Sequence, residues 1–210
     1  MRLTKYTHAC VRLEGDGESL VIDPGVFSEP EACDGVSAIL VTHEHSDHVN
    51  LELLPAVVER NPAVRIYAGA AVTDQLSALG EAVVTVSVGD VFTAAGHTVR
   101  AVGGRHAEVY DGLPGIPNVG YIVDGEVYHP GDAFFVPDET VPTLLLPAGA
   151  PWLKTAEMLD FVRAVAPRRA FPIHDGLYND IGLSLVDGWV QRMGQTDYQR
   201  IPVASSVDLG

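Results

Sequence analysis

Short apolar runs separated by glycine, proline and acidic clusters fill the first fifty positions, a spacing that suits strands rather than helices. Residues 2–8 and 10–14 predict two strands, Gly15-Asp16-Gly17-Glu18 a hairpin turn, and residues 19–22 a third strand closed by Asp23-Pro24-Gly25. An irregular acidic loop is expected over 26–35, and the unbroken apolar stretch 36–41 predicts a buried strand. The period then changes. Leu51, Leu54, Val57 and Val58 share one face of a helix over 50–60, and Pro55 falls early enough to be tolerated. A strand at 64–67 and a helix at 70–79, stopped by Gly80, follow.

The β pattern returns at 83–88, 90–94 and 98–102, with His97 as a structural residue in the turn Ala95-Gly96-His97. Strands at 119–123 and 126–128 flank Asp124-Gly125, a strong two-residue hairpin signal. A buried strand at 143–146 precedes an amphipathic helix at 154–165 (Met158, Phe161, Val162, Val165), stopped by Pro167. A strand at 169–173, a helix at 182–193 and a last strand at 198–203 complete the chain. No repeat or linker interrupts it, so residues 1–210 are expected to be one domain. Alternation of strands and helices after an opening meander predicts an α+β protein whose mixed sheet carries helices outside.

Composition narrows the classes. With 47% hydrophobic and 20% charged residues the chain is a folded protein, not a disordered one. Its net charge of −15 argues against nucleic acid as a partner, because phosphate recognition needs Lys/Arg surfaces. Cys10 and Cys33 form no Cys-x-x-Cys pair, so no zinc finger or thioredoxin-like motif is present. Cys10 reads as a buried small hydrophobe, and a disulfide to Cys33 has no support. No apolar run approaches 18 residues and the first eight positions lack a signal core, which sets the expectation of a cytoplasmic, reduced protein with no membrane contact.

The chemistry concentrates in Thr42-His43-Glu44-His45-Ser46-Asp47-His48, directly after the apolar strand. His43 and His45 point the same way if the strand continues, and a turn then swings Asp47 and His48 to the other side of the pocket. Two half-built ligand sets side by side are what a two-metal hydrolytic site needs. Imidazole with carboxylate suits zinc, with manganese or iron as substitutes. The plainer alternative is a polar loop whose histidines hydrogen-bond locally. Asp23 either closes a good turn or braces the loop carrying His43 and His45.

This cluster resembles the signature of the metallo-β-lactamase-fold hydrolases, and its nearest branch is similar to the L-ascorbate-6-phosphate lactonase-like hydrolases. The resemblance implies a four-layer αββα sandwich of two mixed β-sheets flanked by helices. It implies that His43, His45 and His106 hold a first metal, that Asp47, His48 and His174 hold a second, and that Asp132 of His129-Pro130-Gly131-Asp132 bridges them. Asp47 and Asp132 are then the catalytic carboxylates. His8 is either a surface histidine or, by resemblance, a group at the pocket mouth. His129 either braces the centre or simply ends its strand. The 107–118 loop is expected over the pocket and the 147–152 loop, with Trp152, in its wall. The implied function is hydrolysis of a small-molecule ester, lactone or phosphoester by metal-activated hydroxide. The absence of a Cys ligand and the presence of Asp132 argue against a true β-lactamase. An RNA-processing nuclease of the same fold and a non-catalytic metal-binding protein are the alternatives, and the reading leaves room for a homo-oligomer.

Overall fold

Strands such as Ala38–Val41 and Thr143–Pro147 are buried at every position, so each sheet must be covered on both faces. The computed structural model, which describes residues 1–15, 17–113 and 115–210, meets that demand with two sheets stacked between helices. The first sheet holds β1 (Arg2–Lys5), β2 (Val11–Gly15), β3 (Glu18–Ile22), β4 (Ala38–Val41), β5 (Arg65–Ala68) and β6 (Val83–Thr85). The second holds β7 (Val91–Ala94), β8 (His97–Gly103), β9 (Val119–Val123), β10 (Val127–His129), β11 (Thr143–Pro147), β12 (Arg169–Ile173) and β13 (Asp197–Tyr198). A last strand, β14 (Ser205–Asp208), returns to pair antiparallel with β1. The orders are β14-β1-β2-β3-β4-β5-β6 and β13-β12-β11-β10-β9-β8-β7. In these orders the first sheet is antiparallel over its first three pairings and parallel over the rest, and the second is parallel over its first three and antiparallel over the rest.

Three apolar clusters fill the layers. Leu13, Leu20, Ile22 and Leu40 meet Val99, Tyr121, Leu145 and Phe171 between the sheets. Val21, Ile39 and Ile66 pack against helices α1 (Leu53–Arg60) and α2 (Ala70–Gln75) on one outer face. Ile122, Leu144 and Leu146 pack against α3 (Thr155–Val165) and α4 (Asp180–Met193) on the other. The expected αββα sandwich of two mixed sheets is therefore the fold. Among the described residues no helix is long and apolar enough to cross a membrane.

Several boundaries differ from expectation. The first strand stops at Lys5 because His8 takes a left-handed backbone (φ 65°) that strand geometry excludes. Helix α1 begins at Leu53, not Asn50, because the Asn50 side chain accepts from the backbone of Glu52 and Leu53. Leu51 therefore lies outside the helix and is exposed. The helix expected over 70–79 ends at Gln75 and continues as a 3-10 turn, in which Gly80 is left-handed. Of the strand expected over 198–203 only Tyr198 lies in one, at the end of β13; residues 199–203 form no strand, and β14 follows beyond them on the other sheet. His97 opens β8 rather than sitting in the turn, and it pairs with Asp124 at 2.7 Å. Asp124 and Gly125 both have positive φ, as a primed hairpin turn requires. Asp16 of the first expected hairpin and Pro114 of the 107–118 loop lie outside the described residues. Cys10 and Cys33 are buried and unlinked.

Candidate metal centre

All the loops that carry the predicted site residues leave one rim of the sandwich. His43 follows β4, His106 follows β8, Asp132 follows β10 and His174 follows β12. The pairing directions make β8, β10 and β12 run the same way, as do β1, β3 and β4, so these strands deliver their C-terminal ends together. The seven predicted ligands converge there in two groups. His43, His45, His106 and Asp132 offer ligand atoms within 4.8 Å of one another, and so do Asp47, His48 and His174 together with His8.

The hydrogen-bond pattern on the imidazoles decides which nitrogen each one offers. His48 Nδ1 donates to Asp23 Oδ2 at 2.6 Å, His106 Nδ1 to the Ala107 carbonyl at 2.5 Å, and His174 Nδ1 to the Gly149 carbonyl at 2.5 Å. Thr42 Oγ1 donates to Asp23 Oδ2, which leaves its lone pairs to accept from His43 Nδ1 at 3.0 Å. Nε2 is thus the nitrogen that His48, His106 and His174 would offer a cation, with its orientation set from behind by an oxygen, while His43 Nε2 lies 3.1 Å from His45 Nδ1. Nε2 of His48, His106 and His174 is buried without a hydrogen-bond partner, and so is Asp132 Oδ1. Buried polar atoms are normally satisfied, so four orphans facing one space fit a cation between them. The residues present therefore suit the metal pair that the resemblance implies.

Asp132 sits at the junction. Its Oδ1 lies 3.1 Å from His48 Nε2, and its Oδ2 lies 3.0 Å from His174 Nε2 and 3.4 Å from His106 Nε2. One carboxylate thus faces both groups. Burial opposes its charge, but His48 and the surrounding imidazoles outweigh that and hold it ionised, well below the usual carboxylate range. Burial likewise opposes a proton on His48 and His174, yet Asp132, Asp23 and Asp47 outweigh it. His48 is raised well above its ordinary value, and His174 is raised to about 9. Protons on these rings balance the carboxylates wherever no cation does so.

His8 is fully buried beside Asp47, not at the surface. Its Nδ1 accepts from Gly176 N at 3.2 Å, so Nε2 carries the proton and donates to Asp47 Oδ2 at 3.0 Å. Burial lowers its pKa, which keeps this donor neutral. His8 therefore braces Asp47 and has no free lone pair for a cation. His129 works in the same way: Nε2 donates to the Ala9 carbonyl at 2.9 Å and Nδ1 accepts from Gly131 N at 3.1 Å, which fixes the turn before Asp132. Asp23 accepts from Thr42 N (2.8 Å), Thr42 Oγ1 (2.7 Å) and His48 Nδ1, so it braces His48 directly and His43 through Thr42. His8, Asp23 and His174 all have φ between 53° and 65°, a strain that only a fully determined site sustains.

Three contributors escaped sequence reasoning. Asn118, fully buried, accepts from Asp132 N at 3.0 Å and donates to the Pro130 carbonyl at 2.8 Å. Thr42 links Asp23 to His43. Trp152 was expected only in the pocket wall, but its indole N–H donates to Asp132 Oδ2 at 3.0 Å. A lone Asn in a loop carries no spacing signal; the only hint was its place just before a strand facing the Gly-Asp turn. A cavity of about 270 Å³ opens beside this centre, lined by His45, Arg105, His106, Glu108, Leu113 and Ile116 among others. The 107–118 loop thus covers the pocket as expected.

Comparison with known proteins agrees with this fold. Residues 2–174 match the family described as the beta-lactamase superfamily domain. Protein Rv0786c of Mycobacterium tuberculosis is 43% identical over 99% of both chains. The UPF0173 metal-dependent hydrolase MK1542 of Methanopyrus kandleri is 30% identical over 86% of both. Among solved structures, Igni18, a metallo hydrolase from the archaeon Ignicoccus hospitalis, superposes with a TM-score of 0.76. It covers 98% of this chain and 97% of its own at 21% identity, a likeness of fold.

Proposed function

As a member of the β-lactamase superfamily, and within it of the UPF0173 metal-dependent hydrolases, this chain is, we propose, a binuclear enzyme that hydrolyses a small ester, lactone or phosphoester. One observation carries the reading: three buried imidazole Nε2 atoms and one oxygen of Asp132, all without hydrogen-bond partners, face a common space. His43, His45 and His106 would hold the first cation, Asp47, His48 and His174 the second, and Asp132 would span the two. Zinc suits this nitrogen-rich set best, and iron or manganese would also be accepted. The bound pair would supply an activated water near neutral pH and polarise the carbonyl or phosphoryl group under attack.

The chain's own residues do the rest. Asp47 has 23% of its side chain exposed where Asp132 has 4%, so it is the carboxylate that meets incoming water and substrate. The His8 N–H fixes Asp47 Oδ2 and leaves Oδ1 free to orient water or take up a proton. The cavity beside the centre fits a small molecule, and Arg105 in its wall suits an anionic substituent. Lactones and phosphoesters are the substrates to try first, in keeping with the lactonase-like resemblance of the sequence.

The experiment is metal analysis of wild type and His48→Ala together with a screen of lactones and phosphodiesters. Two metals per chain with turnover are expected for wild type, and loss of one metal and of turnover for the variant. If His48→Ala keeps both metals and full hydrolysis, the assignment is wrong.

A further inference from the structure

Lys5 ends β1 with its ammonium turned inward and is 2% exposed, although a lysine usually carries its charge out to water. All three of its N–H bonds have acceptors: the Tyr6 carbonyl, the His8 carbonyl at 2.8 Å and Asp175 Oδ1 at 3.5 Å. Burial lowers its pKa, and Asp175 opposes that shift. Asp175 is steadied from its other side by Arg200, which also grips Asp187 at 2.6 and 2.9 Å. One cation thus ties the 6–8 loop, which leaves the first sheet, to the 174–176 loop, which leaves the second.

Each of these loops holds a histidine of the centre in the left-handed region, His8 at φ 65° and His174 at φ 54°. Residues other than glycine stay there only where contacts hold them. The contacts meet at the His8 carbonyl, which accepts from Lys5 Nζ and from His174 N at 3.1 Å. The bond from Gly176 N to His8 Nδ1, 3.2 Å long, joins the loops a second time. From this junction the His8 N–H reaches Asp47, and the His174 ring reaches the second ligand group. The first group hangs elsewhere: His43 and His45 follow β4 and His106 follows β8, and among the described residues Lys5 makes no hydrogen bond to either segment.

We propose that Lys5 is a positioning residue for the second cation alone. Through the His8 carbonyl it sets Asp47 and His174, so that without it the second group opens while the first persists. The inference rests on the binuclear reading above. Its sign is informative, because Lys5 is also a positive charge. Were charge the larger effect, removing Lys5 would strengthen cation binding; because position is the larger effect, removal weakens it.

The probe is cobalt alone, counted per chain by metal analysis of the full chain after dialysis against a mild chelator. Wild type should retain two ions and Lys5→Met one, with affinity for the second lowered about tenfold or more. His106→Ala and His48→Ala are the backgrounds that tell the two groups apart. Added to His106→Ala, Lys5→Met should strip the remaining cobalt; added to His48→Ala, it should leave the remaining cobalt in place. Equal depletion of both backgrounds would mean a general loss of stability and overturns the proposal, as does unchanged or stronger retention in Lys5→Met. Fewer than two ions in wild type sinks the binuclear reading and this inference with it, whereas two ions in both wild type and Lys5→Met sinks the inference alone. Should Lys5→Met lose its circular dichroism, Asp175→Ala takes its place. That variant deprives the ammonium of its anion, spares both carbonyls, and should give the same pattern across the two backgrounds.

Discussion

Gly25→Ala tests how the two loops of the first sheet support the centre. A Cβ on Gly25 would stand 2.6 Å from His48 N, with the Asp47 carbonyl nearer still, whereas ordinary contact begins at 3.4 Å. The obstacle is backbone, so no rotamer change relieves it. The 23–26 loop and the 46–50 loop are also bound together by Val26 N to Ser46 O (2.8 Å) and Asn50 N to Pro24 O (3.1 Å). The segment carrying Asp47 and His48 must therefore retreat by about 1 Å or more, against a ligand tolerance of about 0.2 Å. Overpacking of this kind costs about 3 kcal/mol, the upper part of the usual range, or about 6–12 °C in Tm for a chain of this length. Gly35→Ala is the control: it is left-handed (φ 65°) with nothing within 4 Å, so it loses only about 1 kcal/mol of backbone preference. The assay pairs thermal unfolding with metal retention during dialysis against a mild chelator. Gly25→Ala should fall well below Gly35→Ala in Tm and lose the metal of the Asp47, His48 and His174 group first. Equal Tm and equal metal retention in the two variants would refute the steric argument.

Protonation supplies a second prediction. His48 and His174 hold protons at pH 7 when no cation is bound, His174 up to about 9. Metal uptake at pH 7 should therefore release protons, seen as a buffer-dependent calorimetric heat, and affinity should rise with pH towards 9. The cation-free protein should show the opposite sense: stability from the raised histidines is complete below about 6.5, their unfolded value, and the share from His174 is lost as pH rises through about 9. Trp152→Phe removes a charge-assisted hydrogen bond from Asp132 and should destabilise the protein by about 1.5–3 kcal/mol and weaken metal binding. With Trp189→Phe as background, Trp152 is the sole indole, and its emission should change on metal titration but not in denatured protein. Both thiols are pushed up by burial, Cys33 to about 12, so neither should react with a thiol reagent at pH 8 until the chain is unfolded.

The first half of the centre was legible because it is local: His43, His45, Asp47 and His48 fall within six residues behind an apolar strand. His106, Asp132 and His174 were reachable only through the family pattern, since each stands alone at a strand end. The bracing groups were hidden for a physical reason. Asn118 and Trp152 act through hydrogen bonds across 14 and 20 residues, and no periodicity records such contacts. His8 was ambiguous in sequence because its role depends on Gly176 N, 168 positions away. Helix and strand types were recovered well, but ends were not. Asn50 delayed one helix with its own side chain, and β14, a polar edge strand with no buried position, has too little apolar alternation to announce itself.

The seven convergent side chains lie between positions 43 and 174 and come from both sheets, which has a consequence for synthesis. A nascent chain that has cleared the ribosome as far as β11 displays three imidazoles of the 43–48 loop, a fourth from the 106 loop and both carboxylates, yet lacks the ring that closes the second group. Only when β12 has zipped onto β11 does His174 arrive. If the centre takes two cations as proposed, loading waits for complete assembly, and a chain stalled or clipped before that strand should retain ions poorly however well its first sheet has folded.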